Sequence, residues 1–419
     1  MTSNNNIPQG YKQTDLGIIP EDWDTIKICE GLADVKSGKR LPYGYYVTDN
    51  RTKHPYIRVI DMYDGGIDTS NLMYVPKEAY KSIEKYRIFK DDIFISVAGT
   101  LGIVGKIPSW LDGANLTENA NRLTNITCCR DYLLYYLRSP YIQDVISSEQ
   151  TVGAQPKLAL NRIRNFEIAL PSSDTEQKAI ATVLSDVDAL IAALDKKIAK
   201  KKLIKQGAMQ QLLTGKKRLP GFTEEWVQVK LGDLTTMNSG GTPSSSVAEY
   251  YNGNIPFLSI SDITTAGKYI NKTEKCITEK GLQNSSARMY PIGTIMYAMY
   301  ASLGKTSISN IELSCSQAIL GIQPNHKLDS HYLYYHLSFI ENEVKDMGQT
   351  GTQSNLSKQI VQNFILYIPT NIKEQQAIAT ILSDMDKEIS DLETKRDKYR
   401  LIKQGMMQKL LTGQIRLRY

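Results

Sequence analysis

Cysteine is scarce in this chain of 419 residues, and the five present (Cys29, Cys128, Cys129, Cys276, Cys315) form no Cys-x-x-Cys pair and no metal-ligand spacing. That excludes a disulfide-stapled or zinc-ribbon fold and fits buried thiols in a reducing cytoplasm. Long apolar runs are missing as well. The longest, Ile93 to Ile107, is broken by Gly99, Gly102 and Gly105 and is too short to span a bilayer. The polar start MTSNNNIPQG carries no signal-peptide pattern. The expectation is a soluble cytoplasmic protein, and 41% apolar content suffices for two or three cored domains.

Catalytic motifs are equally sparse. Leu303-Gly304-Lys305-Thr306 ends like a phosphate-binding loop, but Met299 stands where the first glycine is required. The matching first-block stretch has Gly99 one place out of register and Ile107 where Ser or Thr belongs, so both read as glycine turns between strands. Asp391-x-Glu393-x-Lys395 has the look of a nuclease cluster, yet on a helix these side chains spread around the rod as solvated charges. His331 and His336 are five apart, the wrong spacing for one helical face, and His54 and His326 have no evident partner. No Asp/Asn-Pro-Pro-aromatic tetrapeptide of adenine methyltransferases and no glycine-rich loop for S-adenosylmethionine occurs. No catalytic residue and no metal site is expected.

What the chain does have is a repeat. EQKAIATVLSDVDALIAALDKKIAKKKLIKQGAMQQLLTG, Glu176 to Gly215, returns as EQQAIATILSDMDKEISDLETKRDKYRLIKQGMMQKLLTG, Glu374 to Gly413, at a constant offset of 198 with about two thirds of positions identical. Each copy reads as helix. Ser173-x-x-Glu176 and Asn371-x-x-Glu374 have capping-box spacing. Ser185-x-x-Asp188 and Ser383-x-x-Asp386 offer a second cap, predicting a short helix followed by a long one. Val187, Ile191, Leu194 and Ile198 recur at 4-3-4 spacing, and Met385, Ile389, Leu392 and Tyr399 fall on the matching face. So narrow a seam calls for another long helix, and the other copy is the obvious partner; the plainer alternative is an amphipathic helix lying on its own domain. The basic excess sits on these helices: residues 176–218 and 370–419 carry 10 Lys/Arg each against 4 and 7 acids, while 1–175 and 219–369 are near neutral.

The intervening blocks are weakly parallel. Ser37-Gly38 answers Ser239-Gly240, each followed by a polar loop ending in Pro42 or Pro243. His54–Met62 answers Ile255–Ile263, and Asp91–Ala98 answers Gly293–Tyr300, all with strand-like alternation. Tyr132–Leu137 and Tyr332–Leu337 are apolar on a helical period, and Gly153-Ala-Gln155 answers Gly351-Thr-Gln353. Matching helices between diverged blocks mean one job done twice by the helices and related jobs on different targets by the blocks.

Phenylalanine is rare (7) and tyrosine abundant (25), often in polar loops. Tyr43, Tyr45 and Tyr46 lie among Lys39, Arg40, Arg51 and Lys53, with Arg58 just beyond; Tyr250 and Tyr251 follow Ser244-Ser245-Ser246; Tyr269 sits beside Lys268 and Lys272, with Lys305 in a nearby turn. Such loops suit DNA, because cations and hydroxyls hold phosphates while Arg, Asn or Gln reads base edges. The plainer reading of any one of these tyrosines is a half-buried ring on a sheet.

Taken together, the duplicated EQxAIAxxLSDxD…LIKQGxMQxLLTG helix, the Pro-x-Asp-Trp arm, the Ser-Gly loop ending in Pro and the block–helix–block–helix order resemble the DNA-specificity (S) subunit of type I restriction–modification systems. The resemblance covers nearly the whole chain. It implies an α+β protein with two target-recognition domains (1–172 and 218–369) held apart by an antiparallel pair of long helices (173–217 and 370–419), related by a pseudo-two-fold axis. It implies a non-catalytic subunit that reads a bipartite, asymmetric duplex. Two methyltransferase (M) subunits carrying S-adenosylmethionine would methylate adenine N6, and restriction (R) subunits using ATP and Mg would cut. Lys39-Arg40-Leu41 departs from Gly241-Thr242 of the second block, so the two loops need not contact DNA alike. A helix from Val187 to Leu213 spans about 40 Å, close to the 34–36 Å between half-sites one turn apart. The rival readings are an enzyme with an unrecognised site and a coiled-coil scaffold with two protein-binding blocks.

Overall fold

The computed structural model describes residues 7–148, 157–350 and 355–417, with 347–350 as backbone only; the Gly153-Ala-Gln155 and Gly351-Thr-Gln353 match lies outside them. The chain divides into two compact units, residues 1–195 with 394–419, and residues 196–393. The long helices, Asp174–Leu212 and Ile372–Leu410, each contribute one half to each unit.

In the first unit, a short hairpin (Tyr11–Thr14 with Gly17–Pro20) leads to Trp23–Lys27, which pairs antiparallel with Glu167–Pro171. A four-stranded antiparallel sheet follows the order Val104–Gly105, Ile93–Ser96, Ala120–Thr124, Asp34–Ser37. A second runs Met73–Tyr74, Pro55–Ile57, Ala114–Leu116, Arg87–Ile88, with one parallel pair, Asn115 opposite Tyr56. The helix Arg130–Leu137 packs its rings into the main core with Ile93, Ile95 and Leu123.

The second unit repeats the plan. Trp226–Lys230 pairs with Ile365–Pro369. A five-stranded sheet runs Thr235–Ser239, Ile319–Pro324, Ile295–Ala298, Thr306–Ser309, Tyr269–Ile270. A four-stranded one again holds a parallel pair, Phe257 opposite Ser314. The helix Ser330–Phe339 takes the place of Arg130–Leu137.

Within each unit the two helix halves run antiparallel. Asp188 meets Lys403 (2.7 Å) and Asp195 meets Arg396 and Arg400 (3.4 Å each) in the first. Lys201 meets Glu388 and Lys202 meets Glu393 (2.7 Å each), and Lys205 meets Asp386, in the second. Of the seam residues, Leu194, Ile198 and Ile389 are buried and Val187, Ile191, Met385, Leu392 and Tyr399 half-buried.

Three expectations are corrected. Each long helix is continuous, without a break at Ser185 or Ser383. Ser383 Oγ instead meets Lys268 and the hydroxyl of Tyr335, and Asp188 accepts from Tyr135, so these polar side chains face the packed block and do not cap. The capping-box carboxylates do not turn back either: Glu176 accepts from Trp23 Nε1 (3.3 Å) and Arg416, and Glu374 from Arg218 (2.7 Å). The strands expected to reach Met62 and Ile263 stop early. Asp61 accepts the backbone N–H of Arg58 (2.8 Å) and Asp262 that of Ser259 (2.8 Å), so each carboxylate turns the chain into a short helical segment.

The LLTG ends close the units. Met407, Leu410 and Leu411 are buried in the core of the first unit; Leu212 and Leu213 occupy the corresponding core of the second. Gly215 and Gly413 end the helices at φ +68° and +67°, a left-handed turn in which a side chain is strained. A Cβ on Gly413 would also stand 2.4 Å from Pro20.

Candidate nucleic-acid interface

Each block presents one polar loop at the edge of a sheet, and the Ser-Gly pair explains how. At Gly38 a Cβ would lie 2.0 Å from the carbonyl oxygen of Thr117, and at Gly240 2.2 Å from that of Cys315. Only glycine lets the backbone press so closely on the neighbouring strand end. Gly38 then donates to Ala120 O and Lys39 to Leu116 O (3.0 and 2.9 Å); Gly240 and Gly241 donate to Ile319 O and Cys315 O (3.0 Å each). The glycines anchor the loops.

In the first unit the anchored chain sends Leu41 and Val47 inward against Tyr56, Val75, Ala79 and Ile83. The segment between them stands off the surface. Tyr43 is fully exposed, Tyr46 is 82% exposed and Tyr45 42%, an unusual display for rings that could be buried. Arg40 is 75% exposed and loosely tied to Glu118 (3.0 Å); Lys39 lies 5.7 Å from the Tyr86 ring, whose neighbour Arg87 lies on the edge strand. Arg51 and Lys53 are exposed. These seven exposed residues all lie within the stretch 39–53. Arg58 does not join them: Asp61 and the carbonyl of Asn71 hold its guanidinium.

In the second unit the loop is held more tightly. Thr242 bonds Gln317, Tyr251 donates to Pro243 O (2.5 Å) and Ser244 meets Ser246 (2.8 Å). Ser244 and Ser245 are exposed, and Tyr250 and Tyr251 half-buried. Lys268 and Lys305 are elsewhere. The loop leaves from Thr235–Ser239, one edge of the five-stranded sheet, while Lys268 precedes Tyr269–Ile270 at the opposite edge. Both lysines line a groove of about 790 Å³ along the long helices with Lys202, Lys205 and Asp386. Lys268 Nζ donates to Ser383 (2.7 Å) and Tyr335 (3.1 Å) and sits 4.6 Å from the Tyr335 ring; burial lowers its pKa. It is a helix-facing strut, and Lys272 remains exposed on the loop beyond.

The residues that sequence reasoning missed are the clasps. Arg416 bonds Asp22 (2.9 Å, twice) and the wholly buried Glu176, and its repeat Arg218 bonds the wholly buried Glu374. Arg138 links Asp64 (2.6 Å) to Asp188 (3.3 Å). Burial would push the Asp188 carboxyl up, but bonds from Lys403, Arg138 and Tyr135 hold it below its ordinary value. The signal was available: the offset of 198 carries Arg218 onto Arg416 and Lys205 onto Lys403. The segment Met299–Gly304 that resembled a phosphate loop joins two antiparallel strands, Tyr297 opposite Thr306, and opens no helix. Among the described residues no group of three or more His, Cys, Asp or Glu is placed to hold a metal, and no helix is long and apolar enough to cross a membrane.

Two blocks of one plan, each offering a tyrosine- and hydroxyl-rich loop and each closed by one end of a duplicated helix, define a protein built on an internal repeat. Residues 20–203 and 223–399 both match the type I restriction modification DNA specificity domain, and the chain belongs to that family as a non-catalytic specificity subunit with a DNA-recognition role. It is 26% identical, over 98% of its length and 97% of the relative's, to a putative type I restriction enzyme MjaX specificity subunit of Methanocaldococcus jannaschii. It is 24% identical to the EcoBI specificity subunit of Escherichia coli over 40% of this chain and 35% of that one. Its fold matches the S subunit of a type I system from M. genitalium (TM-score 0.58, 18% identity, 98% of each chain). It also matches a chain from a type I system studied for complex assembly and conformational transition (TM-score 0.60, 17% identity, 95% of this chain and 99% of that one).

Proposed function

We propose that this chain reads a bipartite, asymmetric DNA site, one half with each block. In this reading 1–172 and 218–369 are the target-recognition domains and 173–217 and 370–419 the spacer. Two methyltransferase subunits supply S-adenosylmethionine and methylate adenine N6; restriction subunits supply ATP- and Mg-dependent cleavage; the assembly works in the cytoplasm.

The observation that carries this reading is the display of Tyr43, Tyr45 and Tyr46 beside Arg40, Arg51 and Lys53 on a loop whose counterpart carries a different set, Ser244, Ser245, Tyr250 and Tyr251. Loops with the same anchors and different tips suit two different sequences. Near-neutral blocks fit a complex in which partners provide part of the phosphate contact that dominates affinity. Arg40, Arg51 and Lys53 hold phosphates, and the hydroxyls and amides around them approach base edges. Reconstituting the chain with its methyltransferase partner and assaying methyl transfer on a library of random duplexes tests this. Methylation confined to one split motif with unlike halves is the expected result; sequence-independent methylation, or transfer by the isolated chain, would overturn it.

A further inference from the structure

The six ion pairs between the helix halves are not all alike once the repeat is applied to them. Shifting by 198 turns Lys202–Glu393 into Arg400–Asp195, and Lys205–Asp386 into Lys403–Asp188, so these pairs recur with the same charges in both units. Two do not recur. The place of Lys201–Glu388 (2.7 Å) is taken in the first unit by Tyr399 and Leu190, and the place of Arg396–Asp195 is taken in the second by Ile198 and Glu393. Tyr399 is half-buried and Leu190 37% exposed, an apolar counterpart to the charged pair.

These substitutions matter only when the partner changes. If the first repeat paired with a second copy of itself, Lys202 would still find Asp195 and Lys205 would still find Asp188. Lys201, however, would face Leu190, and Asp195 would face Ile198. If the second repeat paired with itself, Glu388 would face Tyr399. The cross-pairing of unlike repeats is the arrangement in which Lys201 and Glu388 neutralise each other and Leu190 and Tyr399 take the equivalent positions.

We propose that Leu190, Lys201, Glu388 and Tyr399 form a pairing code that makes each helix repeat prefer the other over a second copy of itself, with Asp195–Arg396 adding to the preference. The partner so selected is the unlike repeat, and the partner rejected is an identical one. The code separates cross-pairing from self-pairing even though the apolar seam is nearly the same in both helices. This goes beyond the reading of DNA and does not depend on it.

The test uses the full-length chain. L190E/K201Y gives the first helix the second repeat's residues at these two positions, so the 201/388 and 190/399 pairs become self-like while Asp195–Arg396 is kept; E388L/Y399K does the reverse. The four-fold variant exchanges the code between helices. Hydrogen exchange of the amides of 187–202 and 385–400 reads the pairing locally. Each double variant should lose about tenfold in protection, the equivalent of two exposed-to-half-buried pairs, and the four-fold variant should recover to within about threefold of the parent. Equal or summed losses in the four-fold variant would show that the four positions act independently and would overturn the code, as would double variants indistinguishable from the parent.

Discussion

Replacing Arg416 with alanine strands a carboxylate. Glu176 is wholly buried, and its partners in the first unit are Arg416, through two nitrogens, and the indole N–H of Trp23. Asp22, the other acceptor, is 59% exposed and re-solvates at little cost once the arginine is gone. Removing one member of a buried pair costs about 3–5 kcal/mol. Arg416 is 37% exposed, so solvent already screens the pair and the lower figure applies. The guanidinium also covers the Trp23 ring at 5.9 Å, and that cover is lost too. A loss of about 3 kcal/mol in a unit of roughly 200 residues lowers its melting temperature by about 6–12 °C. Differential scanning calorimetry on the full chain separates this from the second unit, whose own clasp, Arg218 on Glu374, is untouched. Adding E176Q to R416A removes the stranded charge and should recover a substantial part of the loss. A shift under about 1 °C in R416A, or a double variant no better than the single, would refute the argument that the C-terminal residues close the first unit through a buried charge pair.

His336 is buried with Nδ1 unpaired, and burial lowers its pKa to about 4 from an ordinary 6.5. The unfolded chain takes up a proton below pH 6.5 and the folded one does not, so the second unit's stability is full above 6.5 and falls by about 3 kcal/mol as pH drops towards 4; urea midpoints of H336L should be flatter over that window, and an unchanged slope would contradict this. Substituting Lys39 and Arg40, or Arg51 and Lys53, should weaken binding at the half-site read by the first block and leave the other half-site's sequence unaltered, as methylation mapping would show. Inserting about four residues near Lys196 lengthens one helix by roughly 5.4 Å, so if the helices set the spacing the non-specific gap grows by about one or two base pairs at 3.4 Å each; retention of the original gap with full activity would show that they do not. A half-chain of residues 1–215 carries Met209, Leu212 and Leu213, equivalents of the Met407, Leu410 and Leu411 that complete its block, so two copies can close each other. With the methyltransferase it should modify a palindrome, weakly because the pairing is mismatched; a strictly monomeric half by light scattering would count against it.

The helices were legible because their signal is periodic and repeated: the stripe from Val187 to Ile198 needs no tertiary knowledge to be read as a helical period. The edge loops were legible from Ser-Gly and proline punctuation, since a backbone pressed against a strand end admits only glycine. Other features were hidden because they depend on which segments meet. Ser185-x-x-Asp188 has the spacing of a cap, yet Tyr135, Arg138 and Lys403 offer Asp188 better partners than a helix end would. Lys268 looks like a loop cation in the sequence and is a strut against Ser383 and Tyr335 in the fold. Nothing local says that residues 394–417 complete the first block; that follows only when Arg416 is placed on Glu176 and Leu411 in the core. Arg58 was lost to Asp61 three residues away, a competition that a charge count alone does not reveal.

The central claim is that two unlike readers on one chain specify two unlike half-sites. Genome-wide mapping of methylated adenines in cells expressing this chain with its methyltransferase partner tests it directly, comparing the parent with a chain whose loop 39–53 is replaced by that of a relative. The account predicts one bipartite motif with different halves in the parent, and a change in one half only in the exchanged chain. A palindromic or undivided motif in the parent, or a simultaneous change in both halves, would contradict it.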